Sequence, residues 1–209
     1  MGLGAVLVSY VLAGRLKRSD PILTLVLTGL VVTSVFSALI SAVKYVADPY
    51  SKLPAITFWL MGSLATITRS DLFHLLVPIA IGSIALIAVR WHLNALAFGE
   101  EEAQALGVQT RRLRLIVVGT ATLMTAVCVS ICGMIGWVGL IIPHLARSLV
   151  GPDYRRLMPV SAVLGALFLV AVDDLARSAA VEIPIGILTA LIGAPVFLVL
   201  MARVAKGWR

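Results

Sequence analysis

The sequence predicts an all-α fold: a polytopic transmembrane helix bundle with about six full spans, a short broken helix and interfacial helices. Three observations predict it. Of the 209 residues 60% are apolar and only 13% charged, and the mean hydropathy is +1.05. A soluble globule of this size has to cover its surface with polar groups, which this composition does not supply, and the same hydrophobicity excludes a disordered chain. The charges also fall in short clusters between long uncharged runs. That is the pattern of loops between spans, so the net charge of +7 implies a lipid bilayer as partner and no nucleic acid.

A spanning helix needs ~20 mostly apolar residues. Met1 to Gly14 is apolar but short; Pro21 to Val43 supplies 23 uncharged positions, Leu72 to Val89 supplies 18 and Ile183 to Ala202 supplies 20. Leu157 to Val172 supplies 16 and reaches a span's length by carrying Asp173 and Asp174 inward. Leu115 to Ala146 is different: its 32 uncharged residues are too many for one helix and too few for two with a normal turn. Gly133, Gly136 and Gly139 sit inside it, followed by Pro143. Each glycine destabilises helix by about 1 kcal/mol relative to alanine. The expectation is a full helix to about Ile131, a break, and a shorter helix from about Trp137 to Val150, with the break buried in the bundle or beside a pathway, because irregular backbone at that depth needs polar partners.

Orientation follows from the basic residues. With the Arg15 end inside, alternating spans put 13 of the 17 lysines and arginines inside and leave Lys44, Lys52, Arg69 and Arg177 outside. The C-terminus is then cytoplasmic. Met1 leads straight into an apolar stretch with no charged n-region and no small-residue cleavage site, so a signal peptide is not expected.

Residues 91–114 are neither apolar nor simple. Glu100, Glu101 and Glu102 suit the positive end of a short helix and Gly107 suits its C-cap, which makes the segment either a solvated loop or a surface helix that a partner holds. Residues 44–71 contain Pro49, Pro54, Phe58 and Trp59 and read as an interfacial half-helix rather than a further span. Asp173 and Arg177, four apart near a helix end, pair along one face, in a structural or a functional role. Cys128 and Cys132 share a helix face and read as buried small apolar residues. His74, His92 and His144 are isolated, so no metal site is expected, and His144 after Pro143 reads as a structural hydrogen-bonding residue. No G-x-x-x-x-G-K-[ST] and no H-E-x-x-H occur, so neither ATP binding nor intramembrane proteolysis is expected: no catalytic residue and no cofactor.

Five stretches together resemble one family, the permeases of bacterial ABC importers for iron-siderophores, haem and cobalamin. They are Phe58–Leu64, Gly99–Val108, Gly136–Arg147 (Gly-Trp-Val-Gly-Leu-Ile-Ile-Pro-His-Leu-Ala-Arg), Asp173–Arg177 and Ile183–Phe197 (Ile-Pro-Ile-Gly-Ile-Leu-Thr-Ala-Leu-Ile-Gly-Ala-Pro-Val-Phe). They stand in the family's order and spacing over nearly the whole chain. The chain resembles roughly the last seven of the family's ten spanning helices and has no counterpart to the first three, so residues 1–209 form one permease domain, N-terminally incomplete relative to the family.

The resemblance implies a transport subunit of the bacterial cytoplasmic (inner) membrane, working with ATP-binding cassette ATPase subunits, a periplasmic or lipid-anchored substrate-binding protein and a second permease copy. ATPase coupling would fall on Gly99, Glu100, Glu101, Ala103, Leu106 and Gly107, within the coupling segment at about 91–114. Arg177 would dock the binding protein. Gly133, Gly136, Gly139, Pro143 and His144 would form a structural break beside the pathway. Helices matching Pro21–Val43 and Ile183–Ala202 would line it through Gly29, Ser34, Gly186, Thr189, Gly193 and Pro195. A truncated, non-transporting remnant or accessory membrane subunit is the alternative; a secondary transporter would want broken helices in matching halves, and one break stands alone.

Overall fold

The computed structural model describes residues 2–15, 21–178, 181 and 183–206. Among them it holds nine helices and no strand: α1 (Gly2–Arg15), α2 (Pro21–Val46), α3 (Lys52–Met61), α4 (Arg69–Leu96), α5 (Glu100–Ala105), α6 (Thr110–Cys132), α7 (Val138–Val150), α8 (Tyr154–Ser178) and α9 (Ile185–Lys206). Lys17, Arg18, Glu182 and Arg209 lie outside the described residues. Among the described residues four helices are long and apolar enough to cross a bilayer: α4, α6, α8 and the Val26–Val46 part of α2. Val138–Val150 and Ile185–Leu200 are shorter apolar helices. At 1.5 Å per residue α1 reaches about 21 Å, short of a hydrocarbon core of about 30 Å, because it has only 14 residues.

Local chemistry sets the boundaries. Thr68 caps α4 in a reciprocal box with Asp71: the Thr68 N–H donates to Asp71 Oδ2 at 2.9 Å, and the Asp71 N–H donates to Thr68 Oγ1 at 3.3 Å. Before α3, the Ser51 N–H and hydroxyl both donate to the Asp48 carboxylate, holding it below the usual carboxylate range. At ten residues α3 is a half-helix of about 15 Å, as the prolines and aromatics of that segment anticipate. The long apolar run divides as expected: α6 ends at Cys132, α7 begins at Val138, and both lie within a residue of the positions read from the glycines.

Helix α4 lies along α6, α7 lies along α8, and α8 also touches α4 and α9. Helix α2 packs mainly on α1 and otherwise turns its side chains outward, with Val26, Leu30 and Val31 at least 60% exposed. A helix apolar on all sides suits a lipid or protein environment, not water. Two buried clusters lie at opposite ends of the bundle. One cluster (Ala95, Ala103, Val108, Leu113) sits at the end of the bundle that carries α5; the other (Val172, Ala176, Ile185) sits at the opposite end, against Leu64, Ile135, Phe168, Leu188 and Ile192.

Candidate functional site

Helix α5 is six residues long, far too short to be stable alone, and its neighbours hold it. Gly99 precedes it at φ +130° and accepts the Ala103 N–H at 3.1 Å. At its far end the Gly107 N–H donates to the Gln104 carbonyl and the Val108 N–H to the Ala103 carbonyl, both at 2.9 Å. This pair of bonds, with Gly107 at φ +80°, is a Schellman cap. The cap turns Val108 back beside Ala103 in the buried cluster with Ala95 of α4 and Leu113 of α6. Glu100 Oε2 receives Arg114 Nη2 at 3.0 Å, tying the start of α5 to α6. The inner face is thus fixed, while Glu100, Glu101, Glu102 and Gln104 face outward. Phe98 is 78% and Leu106 62% exposed beside them. Two large apolar side chains thus flank three carboxylates on one small exposed surface.

At the opposite end three stretches of irregular backbone meet. The Ser63 N–H donates to the Cys132 carbonyl at 2.9 Å, and the Ile185 N–H donates to the Gly62 carbonyl at 3.0 Å. The Cys132 carbonyl at the break after α6 is therefore satisfied by protein, the kind of partner that irregular backbone at membrane depth requires. The approach is close enough to need glycine at three places. A Cβ on Gly62 would lie 2.7 Å from the Met134 carbonyl oxygen, on Gly133 2.1 Å from that of Trp59, and on Gly186 2.2 Å from that of Met61. Trp137 holds φ +67°, rare for a bulky residue, at the start of α7, with Phe197 edge-on at 6.1 Å between ring centroids. Nearby on α8, Arg177 Nε donates to Asp173 Oδ2 at 2.8 Å; the arginine side chain is 49% exposed and the aspartate 19%, and Asp174 is exposed on another side.

Several expected positions do other work. Gly136 and Gly139 are not where the break is forced, since a Cβ on either would meet nothing; Gly133 and the backbone of Trp137 set it. Pro143 and His144 do not break the chain but lie inside continuous α7. Pro143 lines an apolar cavity of about 410 Å³ between α4, α6, α7 and α8, with Ser83, Leu86, Arg90, Met124 and Met158. His144 stands edge-on to Phe197 at 6.2 Å. Of the positions expected to line a pathway, Gly29 is half-buried and Ser34 and Pro195 are exposed. Thr189 is completely buried and its hydroxyl donates to the Gly186 carbonyl at 3.1 Å. A Cβ on Gly193, which is buried, would lie 2.5 Å from Trp137 Cβ, while Gly186 is half-buried. Cys128 and Cys132 are free thiols, half-buried on α6.

Sequence reasoning missed one polar joint. Asn94, in the last turn of α4, donates from Nδ2 to Asp153 Oδ1 at 2.6 Å and accepts the Tyr154 N–H at 2.8 Å. Gly151-Pro152-Asp153 before an apolar helix is a cap signal that marks one partner; nothing local marks Asn94.

The geometry is that of a helical membrane subunit with a rigidly mounted surface helix at one end and a glycine-packed backbone junction at the other. Comparison with known proteins agrees. Residues 1–203 match the FecCD transport family. The chain is 43% identical over 207 residues to the molybdate import system permease protein MolB of Haemophilus influenzae, covering 99% of this chain and 61% of the relative. It is 43% identical over 181 residues to the cobalamin import system permease protein BtuC of Halobacterium salinarum, covering 87% of this chain and 48% of the relative. Among solved structures it is similar to an inward-facing metal-chelate type ABC transporter, with a TM-score of 0.88 and 43% identity, covering 96% of this chain and 64% of that one. The chain thus spans about half to two thirds of the length of the relatives it matches. With the family's pattern matched from residue 1 to residue 203, this chain belongs to the FecCD transport family.

Proposed function

We propose that this chain is the membrane-spanning permease subunit of an ATP-driven importer for iron-siderophore, haem or cobalamin-type chelates in a bacterial cytoplasmic membrane. It performs no catalysis; ATP is hydrolysed by a separate cassette ATPase subunit seated on α5. The observation that carries this reading is the mounting of α5: a six-residue helix locked at both ends, its inner face buried and its outer face presenting Phe98, Leu106 and the glutamates. Such an element passes a push from a partner into α4 and α6 without absorbing it. The basic asymmetry supports α5 and the C-terminus lying inside and Arg177 outside, where it receives a substrate-binding protein. A second permease copy completes the pathway.

The test is retention of the cognate ATPase on this chain in detergent. Retention is expected with the natural sequence and is expected to be lost with Phe98→Asp plus Leu106→Asp, at unchanged folded yield. Equal retention by both proteins would remove α5 from the interface. A non-transporting or accessory role is the second reading, favoured by the outward-turned side chains of α2. Uptake into vesicles holding ATPase and permease, with binding protein outside, separates the two.

A further inference from the structure

Where the polar groups of the α4–α8 contact go decides how a push on α5 travels. Helix α8 begins at Tyr154, and the first four N–H groups of a helix need partners outside the helix. All four have them. The Tyr154 N–H donates to Asn94 Oδ1 at 2.8 Å and the Arg155 N–H to Asp153 Oδ1 at 2.9 Å. The Arg156 and Leu157 N–H groups donate to the Asp153 carbonyl at 3.0 and 2.8 Å. Asp153 Oδ1 also receives Asn94 Nδ2 at 2.6 Å. Asn94 is therefore part of the α8 cap although it stands 59 residues away on α4.

The next residue, Ala95, is buried against Ala103 of α5. One residue step thus joins the surface helix to the cap of α8. From there α8 runs about 35 Å, at 1.5 Å per residue, to Val172 and Ala176, which pack on Ile185 at the opposite end, and to Arg177. The Asn94–Asp153 joint is directional and charge-assisted.

We propose that Asn94, acting through Asp153, is the positioning residue that transmits movement of the ATPase-docking helix α5 to α8. The inference rests on the importer reading above and deepens it by naming the mechanical joint. Loosening the joint leaves the ATPase bound and the bundle folded but disconnects the two ends.

The experiment uses the full chain assembled with its ATPase in lipid nanodiscs, measuring ATP hydrolysis with and without the binding protein. Asn94→Asp sets a carboxylate against Asp153, while Asn94→Asp with Asp153→Asn restores every donor and acceptor with the partners exchanged. The single variant is expected to keep ATPase retention and folded yield and to lose about tenfold in stimulation by the binding protein, the scale of one charge-assisted hydrogen bond. The exchanged pair is expected to regain most of that loss. Full stimulation in the single variant, or no recovery in the exchanged pair, overturns the proposal. If Asn94→Asp does not accumulate, Asn94→Ser removes the bridge without adding charge and is read by the same criteria. Failure of the natural sequence to retain the ATPase would overturn the importer reading itself, and is seen before any variant is made.

Discussion

Replacing Gly133 by alanine puts a Cβ 2.1 Å from the backbone oxygen of Trp59 at a residue held at φ +71°. Both consequences are costly and neither can be relieved by a side-chain rotation. Holding an L-residue in the left-handed region costs about 1–2 kcal/mol. Ordinary contact begins at 3.4 Å, so the Trp59 carbonyl must retreat by 1.3 Å, the difference of the two distances. The last turn of α3 that carries it leads directly into a loop bonded on both sides, through Ser63 to Cys132 and through Gly62 to Ile185. Overpacking of this kind costs about 1–3 kcal/mol. Together the expected loss is about 3 kcal/mol, or about a hundredfold in the folded-to-unfolded ratio. Gly136→Ala is the control, because a Cβ there meets nothing and its φ is not left-handed. Equilibrium unfolding in mixed detergent micelles, followed by tryptophan fluorescence, reads both. A Gly133→Ala protein within about 0.5 kcal/mol of the Gly136→Ala protein would refute the claim that backbone crowding sets the break.

Four further outcomes are expected. In a background with Cys128 and Cys132 replaced by alanine, Tyr50→Cys is labelled by an impermeant thiol reagent added outside and Pro152→Cys is protected; the reverse labelling would invert the orientation. Gly107→Pro removes the N–H that donates to Gln104 and imposes a negative φ where +80° is held, so coupled ATP hydrolysis is lost while membrane insertion is kept; unchanged coupled hydrolysis would reduce α5 to a surface loop. Arg177→Glu slows association of the binding protein and makes the residual binding less sensitive to salt, with a small change in folded yield because an exposed helical ion pair contributes little; normal affinity with poor folding would confine Arg177 to its pair with Asp173. The Arg155 N–H and the Asn94 amide hold the Asp153 carboxyl below its usual value, so the carboxylate's contribution to the α8 cap is complete above the unfolded-state value of about 3.9 and is lost as pH falls through the lower folded-state value; hydrogen exchange of the Tyr154–Leu157 amides should rise in that window, beyond its trend in Asp153→Asn, and a matching profile in that variant would count against it.

Composition and run length alone determine that this is a helical membrane protein, because no soluble packing accommodates uncharged stretches such as Pro21–Val43. The break between α6 and α7 is legible for the same kind of reason: 32 uncharged residues cannot form one helix, and glycine marks where the chain yields. The short α5 and its glycine cap are equally local, since acids at the start and a left-handed residue at the end are written within ten positions. Which glycine does what is not local. Gly133, Gly136 and Gly139 look alike along the chain, and only the arrival of the Trp59 carbonyl from another segment makes Gly133 indispensable and leaves the other two open. That Met61 and Met134 crowd Gly186, and Trp137 crowds Gly193, is likewise invisible along the chain. Asn94 carries no local signal because its two partners are 59 and 60 residues away, and a bond of that span exists only once α4 and α8 lie side by side. Periodicity, charge and capping act over a few residues and can be read in one dimension; close approach and polar pairing between helices are properties of packing, which the tertiary structure alone decides.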